Sequence, residues 1–255
     1  MQQNKTISIL GCGWLGFKWA KQLVQKGYRV NGSTRSSAKK NEFIEAGIVH
    51  YALDETHAPA DELKSFASCD LLMIAVPSSK ISEVFLAKIC QFLDADRIKI
   101  VLISSTGIYR ETNEILDEYA PVEKLNTTSA IYKTEHFLRE IFQDRLTILR
   151  AGGLIGYDRD PVRFAFAEGV RKNPDGRVNL IHADQLIKVL DACLHDQIGY
   201  GIFNVCQAEH PTKKEYYTRC CQLANLPPPE FLYDDEQFFK IIDSSKLFAV
   251  LGEEF

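Results

Sequence analysis

Three glycines near the start of the chain, Gly11, Gly13 and Gly16, stand in the spacing G-x-G-x-x-G. That spacing suits one kind of chemistry, holding a pyrophosphate against bare backbone. The run reads Ile7-Ser8-Ile9-Leu10-Gly11-Cys12-Gly13-Trp14-Leu15-Gly16. Gly11 permits a tight turn, Gly13 lets the main chain approach the phosphates, and Gly16 lets a helix sit close to the preceding strand. The backbone around Cys12, Gly13, Trp14 and Leu15 then opens a helix whose first amides point at an anion. The motif has meaning only between a strand and a helix. Both are legible here, an apolar strand before it and a helix from Trp14 to Lys26 after it, closed by Gly27.

The following strand, Tyr28 to Arg35, should end beside the ribose of a bound dinucleotide. An NAD site usually places Asp or Glu there to accept from the ribose hydroxyls. This chain instead offers Ser33, Thr34, Arg35 and Ser36, with Lys39 and Lys40 shortly after and no acidic residue from Val30 to Lys40. A guanidinium binds a 2′-phosphate in a charge-assisted fork, which a carboxylate would repel. The expected cofactor is therefore NADP(H), with NAD as the alternative and Arg35 as the clamp. The same cations also suit a plain solvated helix start. At the end of the fourth strand, Ala75, Val76 and Pro77 should border the cofactor, since ligands lie beyond the carboxyl ends of such strands.

The elements that must position these groups alternate. Helix 37–46 is followed by a strand at 48–51, a short helix at 61–67 and the continuous apolar run Asp70 to Val76, which reads as a parallel strand buried on both faces. Helix 80–93, strand 98–103, helix 128–142 and strand 146–149 complete an α/β, Rossmann-type, doubly wound parallel sheet over residues 1–150. Residues 151–255 lose that rhythm: a loop at 152–157, a helix at 162–170, a short strand at 178–181, a helix at 184–194, a strand at 202–205 and a helix at 212–224. They read as a small C-terminal substrate-binding cap interleaved with the sheet.

A chain of 255 residues, 45% apolar and 25% charged, has an ordinary globular composition. The net charge of −4 and the lack of a basic stripe give no reason to expect nucleic acid as a partner. No apolar run reaches membrane-spanning length, and the first strand leaves no room for a leader, so a cytoplasmic protein is expected. The seven cysteines are scattered with no C-x-x-C pair, which supports neither zinc nor a disulfide framework.

Several patches together resemble the extended short-chain dehydrogenase/reductase superfamily, in its epimerase/dehydratase branch and among its atypical, sugar-nucleotide epimerase-like members. Beside the glycine turn, Ile103-Ser104-Ser105-Thr106-Gly107-Ile108-Tyr109 is similar to the branch's S-S-x-x-V-Y segment. Leu149-Arg150 through Ile155-Gly156 is similar to L-R-x-x-x-I-Y-G, Leu180-Ile181-His182-Ala183-Asp184 to I-H-V-D-D, and Phe203-Asn204-Val205 to Y-N-V. The resemblance implies a small or nucleotide-linked sugar as substrate, Ser104 beside the cofactor, and a homodimer as a plausible assembly. It also implies Ser105 as the hydroxyl that holds a substrate oxygen.

The chain departs from the branch at its Y-x-x-x-K pair, in which the Tyr is general acid/base and the Lys one turn later tunes it. No such pair lies between Tyr109 and Arg150. In one register Tyr132 and His136 form a substituted pair, with Glu140 as the branch's trailing Glu. In the other, Glu135 is that Glu, and Thr127 and Ile131 fall at the catalytic positions, so no Tyr/Lys pair exists. Tyr109 suits either the nicotinamide pocket or a strand-end cap. Asp184 suits an N-cap, and Arg159 and Arg163 suit a substrate phosphate or plain surface charge. Two readings follow: an NADP-dependent oxidoreductase or epimerase/dehydratase, and a catalytically degenerate NADP(H) sensor or binding module.

Overall fold

The computed structural model describes residues 5–159, 161–162, 171–233 and 238–255. The chain divides into two compact units, and it passes between them more than once. The first comprises residues 1–104, 128–149 and 199–202, the second residues 105–127, 150–198 and 203–255. Elements are numbered in chain order.

The first unit carries β1 (Thr6–Leu10), α1 (Trp14–Gln25), β2 (Arg29–Thr34), α2 (Lys40–Glu45), β3 (Val49–Ala52), α3 (Ala60–Ala67), β4 (Leu71–Ile74), α4 (Glu83–Cys90) and all but the last residue of β5 (Lys99–Ser105). It also carries α5 (Ala130–Phe142), most of β7 (Leu146–Ala151) and the start of β11 (Gly201–Val205). These strands form a seven-stranded parallel sheet in the order β11-β7-β5-β4-β1-β2-β3. Chain order runs outward in both directions from β1, so the crevice of this open sheet lies past the ends of β1 and β4. All of Leu71–Ile74 is buried, as the unbroken apolar run requires for a strand covered on both faces. Leu15, Trp19, Ala20 and Leu23 give α1 one buried face, at the spacing of a helix that packs on a sheet. Gly27, at φ 86°, then turns the chain, and the amides of Lys26 and Tyr28 bond back to the carbonyls of Gln22 and Leu23.

Several expectations need correction here. The helix expected over 80–93 is shorter, because Ser82 caps α4 through its Oγ, which accepts from the Phe85 amide at 3.1 Å. The strand expected at 202–205 as part of the cap is β11, a strand of the main sheet beside β7. The helix expected over 162–170 lies almost wholly outside the described residues.

In the second unit, the loop expected at 152–157 contains a strand, β8 (Gly153–Ile155), paired in parallel with β10 (Leu180–His182). Glycines hid it. A Cβ at Gly152 would meet the Asn179 carbonyl oxygen at 2.7 Å, so two backbones approach there too closely for any side chain. The unit also holds β6 (Glu114–Leu116) paired with β13 (Lys240–Ile242), and β9 (Arg171–Lys172) paired with β12 (Phe231–Leu232). Its fully described helices include α6 (Ala183–Leu194), α7 (Lys213–Leu223) and α8 (Ser245–Leu251). Pairs two or three residues long leave no periodicity to read, which is why β6, β9, β12 and β13 escaped the sequence. Among the described residues no helix is long and apolar enough to cross a membrane.

Candidate cofactor site

The glycine turn is built as its spacing demands. Gly11 adopts φ 82°, and a Cβ there would fall 2.6 Å from Val76 Cγ2 and 2.8 Å from the Val76 amide nitrogen. At Gly16 a Cβ would sit 2.9 Å from Ile9 Cγ2, so the protein itself requires both glycines. Gly13 differs: the nearest atom to a Cβ there is the Gly11 oxygen at 4.0 Å, which leaves open space on the side where a pyrophosphate would lie. The turn is braced from β2, since the Gly11 amide donates to Ser33 Oγ at 3.1 Å and the Cys12 amide to the Ser33 carbonyl at 2.8 Å. No side chain caps α1 and its first turn holds no carboxylate, so its positive end is left to attract an anion. Trp14 and Leu15 supply the amides that follow Gly13. The Cys12 side chain points inward, and burial pushes its thiol up to about 12, so only its backbone is available to a ligand.

Beyond the turn lies a cleft of about 280 Å³ within the first unit. Leu10, Leu53, Val76, Ile81 and Phe85 form its apolar part, and Gly11, Ser33, Thr34 and Arg35 border it. Ala75 continues the β1–β4 ladder by donating to the Leu10 carbonyl at 2.8 Å, which sets Val76 against Gly11, and Pro77 opens the turn that leads to α4. The Arg35 side chain is exposed at the rim and pairs with no other described residue. Thr34 is engaged locally, with Oγ1 donating to the Ser36 carbonyl at 2.7 Å and lying 2.7 Å from His50 Nε2.

Sequence reasoning missed the opposite rim. Asp54, Glu55, Thr56 and Lys80 also line the cleft. Both acids are occupied in shaping it. Asp54 Oδ1 accepts from the Thr56 amide, the Thr56 hydroxyl and the His57 amide, each at 2.7 Å, which holds its carboxyl below the usual range. Glu55 Oε1 accepts from the Ser82 amide at 2.6 Å and so ties this loop to the start of α4. The signal was available, because these residues follow the ends of β3 and β4, where ligands of such sheets bind.

The expected catalytic residues fall in separate settings. Within the first unit, Thr134, Glu135, Leu138 and Phe142 form the buried stripe of α5, while Tyr132 is half-buried and His136 exposed. The Tyr132 and His136 rings stand 6.0 Å apart, and His136 Nδ1 is 3.6 Å from Glu140, so these residues follow one outer stripe. The stripe that meets the end of β5 is Glu135's: Ser104 Oγ donates to Glu135 Oε1 at 2.5 Å, with both residues buried.

In the second unit, Ser105 Oγ accepts from the Gly107 amide at 3.0 Å. Tyr109 is buried, its hydroxyl donating to Asn204 Oδ1 and accepting from Arg150 Nη1, each at 2.8 Å. Burial raises its pKa. It packs as an interior residue. The N-cap of α6 is His182 rather than Asp184: His182 Nδ1 accepts from the Asp184 amide at 3.2 Å, and Gln185 completes a capping box. Asp184 accepts instead from the Tyr157 hydroxyl. Arg159 lies just past β8, and Arg163 is outside the described residues.

A family model for the NAD-binding domain of 6-phosphogluconate dehydrogenase matches residues 6–126. The Escherichia coli K12 protein YeeZ is 30% identical over 263 aligned residues, covering 98% of this chain and 96% of YeeZ. Among solved structures, a functionally unknown conserved protein from Silicibacter pomeroyi superposes with a TM-score of 0.79 at 20% identity, over 98% of this chain and 93% of that one. The UDP-glucuronic acid 4-epimerase of Bacillus cereus, solved with NAD, superposes with a TM-score of 0.74 at 15% identity, over 97% and 92% of the two chains. At such identities the structures establish the fold alone, a Rossmann-type α/β fold.

Proposed function

We propose that this chain, which belongs to the family of the Escherichia coli protein YeeZ, is an NADP(H)-dependent oxidoreductase or epimerase/dehydratase acting on a small or nucleotide-linked sugar. The observation that carries the reading is the end of β2. A guanidinium with no partner among the described residues, Arg35, stands at the rim of the cleft where an NAD-selective site would place a carboxylate, and of the nearby acids Asp54 is bonded within its own loop and Glu55 to the Ser82 amide. The glycine turn would hold the pyrophosphate, the open side of Gly13 would face it, and the apolar part of the cleft would take the adenosine end.

A bound nicotinamide supplies a hydride donor or acceptor. The residues that would serve it each have a defined task. Tyr132, with His136 one turn on, is the group that would give or take a proton, and Ser105 is a hydroxyl that would hold a substrate oxygen. A titration with NADPH and NADH, repeated on Arg35→Ala, tests the cofactor reading. Selective binding of NADPH that the substitution abolishes supports it, and absence of binding by either nucleotide overturns it. Turnover with a panel of sugar nucleotides, lost in Ser105→Ala and Tyr132→Phe while NADPH still binds, tests the assigned roles.

One observation favours a second reading. The α5 stripe at the end of β5 carries Glu135, with no Tyr/Lys pair in that register, which fits a protein that has kept the nucleotide and lost the chemistry. Conversion of any carbonyl or sugar-nucleotide substrate excludes it.

A further inference from the structure

We infer that His50 is a specificity-determining residue of this cofactor site, holding the Thr34 hydroxyl so that the turn from Thr34 to Ser36 is shaped for a phosphate monoester on the cofactor's ribose. The inference rests on the NADP(H) reading above and gives that site a component beyond Arg35. His50 lies on β3 opposite Gly32 of β2. A Cβ at Gly32 would meet Phe43 Cε1 at 2.7 Å, so the glycine makes room for Phe43. Phe43 in turn meets the imidazole edge-on, with centroids 5.0 Å apart at 81°. The ring is thereby fixed with Nε2 at 2.7 Å from Thr34 Oγ1, whose own proton goes to the Ser36 carbonyl.

Counting protons in this chain ties the ring to the turn. The Thr34 hydroxyl has one hydrogen and two lone pairs. If it donates to Ser36, His50 Nε2 must carry the hydrogen of the contact between them. If Nε2 were bare, it would claim the Thr34 hydrogen, and the Ser36 carbonyl would lose its donor. A proton on Nε2 therefore leaves the Thr34 hydroxyl hydrogen for Ser36 or for an incoming phosphate oxygen at the cleft that Thr34 and Arg35 border.

The charged surroundings couple this to the ligand. Just past the end of β2 comes Arg35. The turn Ser37–Lys39 contributes Lys39, and α2 contributes Lys40, Glu42 and Glu45, while the cleft beyond Thr34 adds Asp54, Glu55 and Lys80. Burial, and then Lys40, hold the imidazole below its ordinary pKa, so the unliganded ring is neutral near pH 7. A phosphate monoester brings about −1.5 to −2 charges. Such an anion counters Lys40 and favours the imidazolium, so phosphate binding and proton uptake reinforce each other.

The test uses the whole protein and two readouts. Ring-nitrogen spectra of the wild type, free and saturated with NADPH, NADH or adenosine 2′,5′-bisphosphate, follow the His50 titration between about pH 6 and pH 8. The expected result is a His50 pKa raised by NADPH and by the bisphosphate but not by NADH. Binding titrations of His50→Phe should then show NADPH weakened roughly fivefold or more, as loss of one hydrogen bond implies, with NADH unchanged. Equal His50 titration under NADPH and NADH overturns the inference whether or not the variant folds. A His50→Phe protein that keeps the wild-type preference, while Arg35→Ala loses it, overturns this inference and leaves the NADP(H) reading standing. A wild type with no preference overturns both.

Discussion

The hydroxyl of Ser104 donates to the carboxylate of Glu135 at 2.5 Å, joining the last buried residue of β5 to the inner stripe of α5. Ser104 is 7% exposed and Glu135 3%, so water cannot replace either partner. Ser104→Ala should lower stability by about 1–3 kcal/mol by leaving a buried carboxylate short of a donor. His136→Ala, on the exposed stripe, should change it by less than about 0.5 kcal/mol. Urea unfolding of the two variants checks this, and equal effects would mean that the stripes are not distinguished as described.

Two glycines of one motif should respond differently to a methyl group. Gly11→Ala meets backbone atoms of Val76 and demands a left-handed φ, so it should destabilise the fold by roughly 2 kcal/mol or more. Gly13→Ala meets nothing nearer than 4.0 Å and should destabilise by about 1 kcal/mol at most. The same variant should block dinucleotide binding. A melting curve with a nucleotide titration separates the two effects, and a Gly13→Ala protein that binds normally would move the pyrophosphate elsewhere.

Tyr109→Phe removes one hydroxyl from a buried cluster. Arg150 Nη1 and Asn204 Oδ1 each lose a partner, while Asn204 keeps its bonds to Glu118 and to the Asp243 carbonyl. The expected loss is about 1–3 kcal/mol of stability with nucleotide affinity unchanged. Weakened NADPH binding in a protein of normal stability would give Tyr109 a role at the cofactor instead.

His210 supplies a pH dependence. Its Nδ1 is buried without a hydrogen-bond partner among the described residues, and burial holds its pKa below 6.5. The unfolded chain therefore binds the proton more readily than the folded one. The stability it contributes is complete above pH 6.5 and is lost as the pH falls toward the folded pKa. His50 acts in the same sense. Unfolding free energy measured from neutral to mildly acid pH should fall less steeply in His210→Gln than in the wild type, and parallel curves would count against the assignment.

Much of this protein was determined by the sequence alone. The strand–turn–helix at the glycine motif, the buried run of β4 and the acid-free end of β2 are local patterns, written in neighbouring residues and readable from their spacing. Sites that depend on distant segments were not readable. Which stripe of α5 meets β5 turns on a rotation of about 100° between adjacent residues, and the spacing left two registers open. Only the packed helix shows that Glu135 is the residue that meets Ser104. Likewise Tyr109, Arg150 and Asn204 lie far apart along the chain, and only folding closes the cluster that takes the phenol into the interior. The far rim of the cleft and the contact of His50 with Thr34 arise where neighbouring strands end side by side. The physical reason is common to all of these. Secondary structure answers to short-range sterics and periodicity, whereas burial and hydrogen-bond partnership are settled by which segments the sheet order brings together.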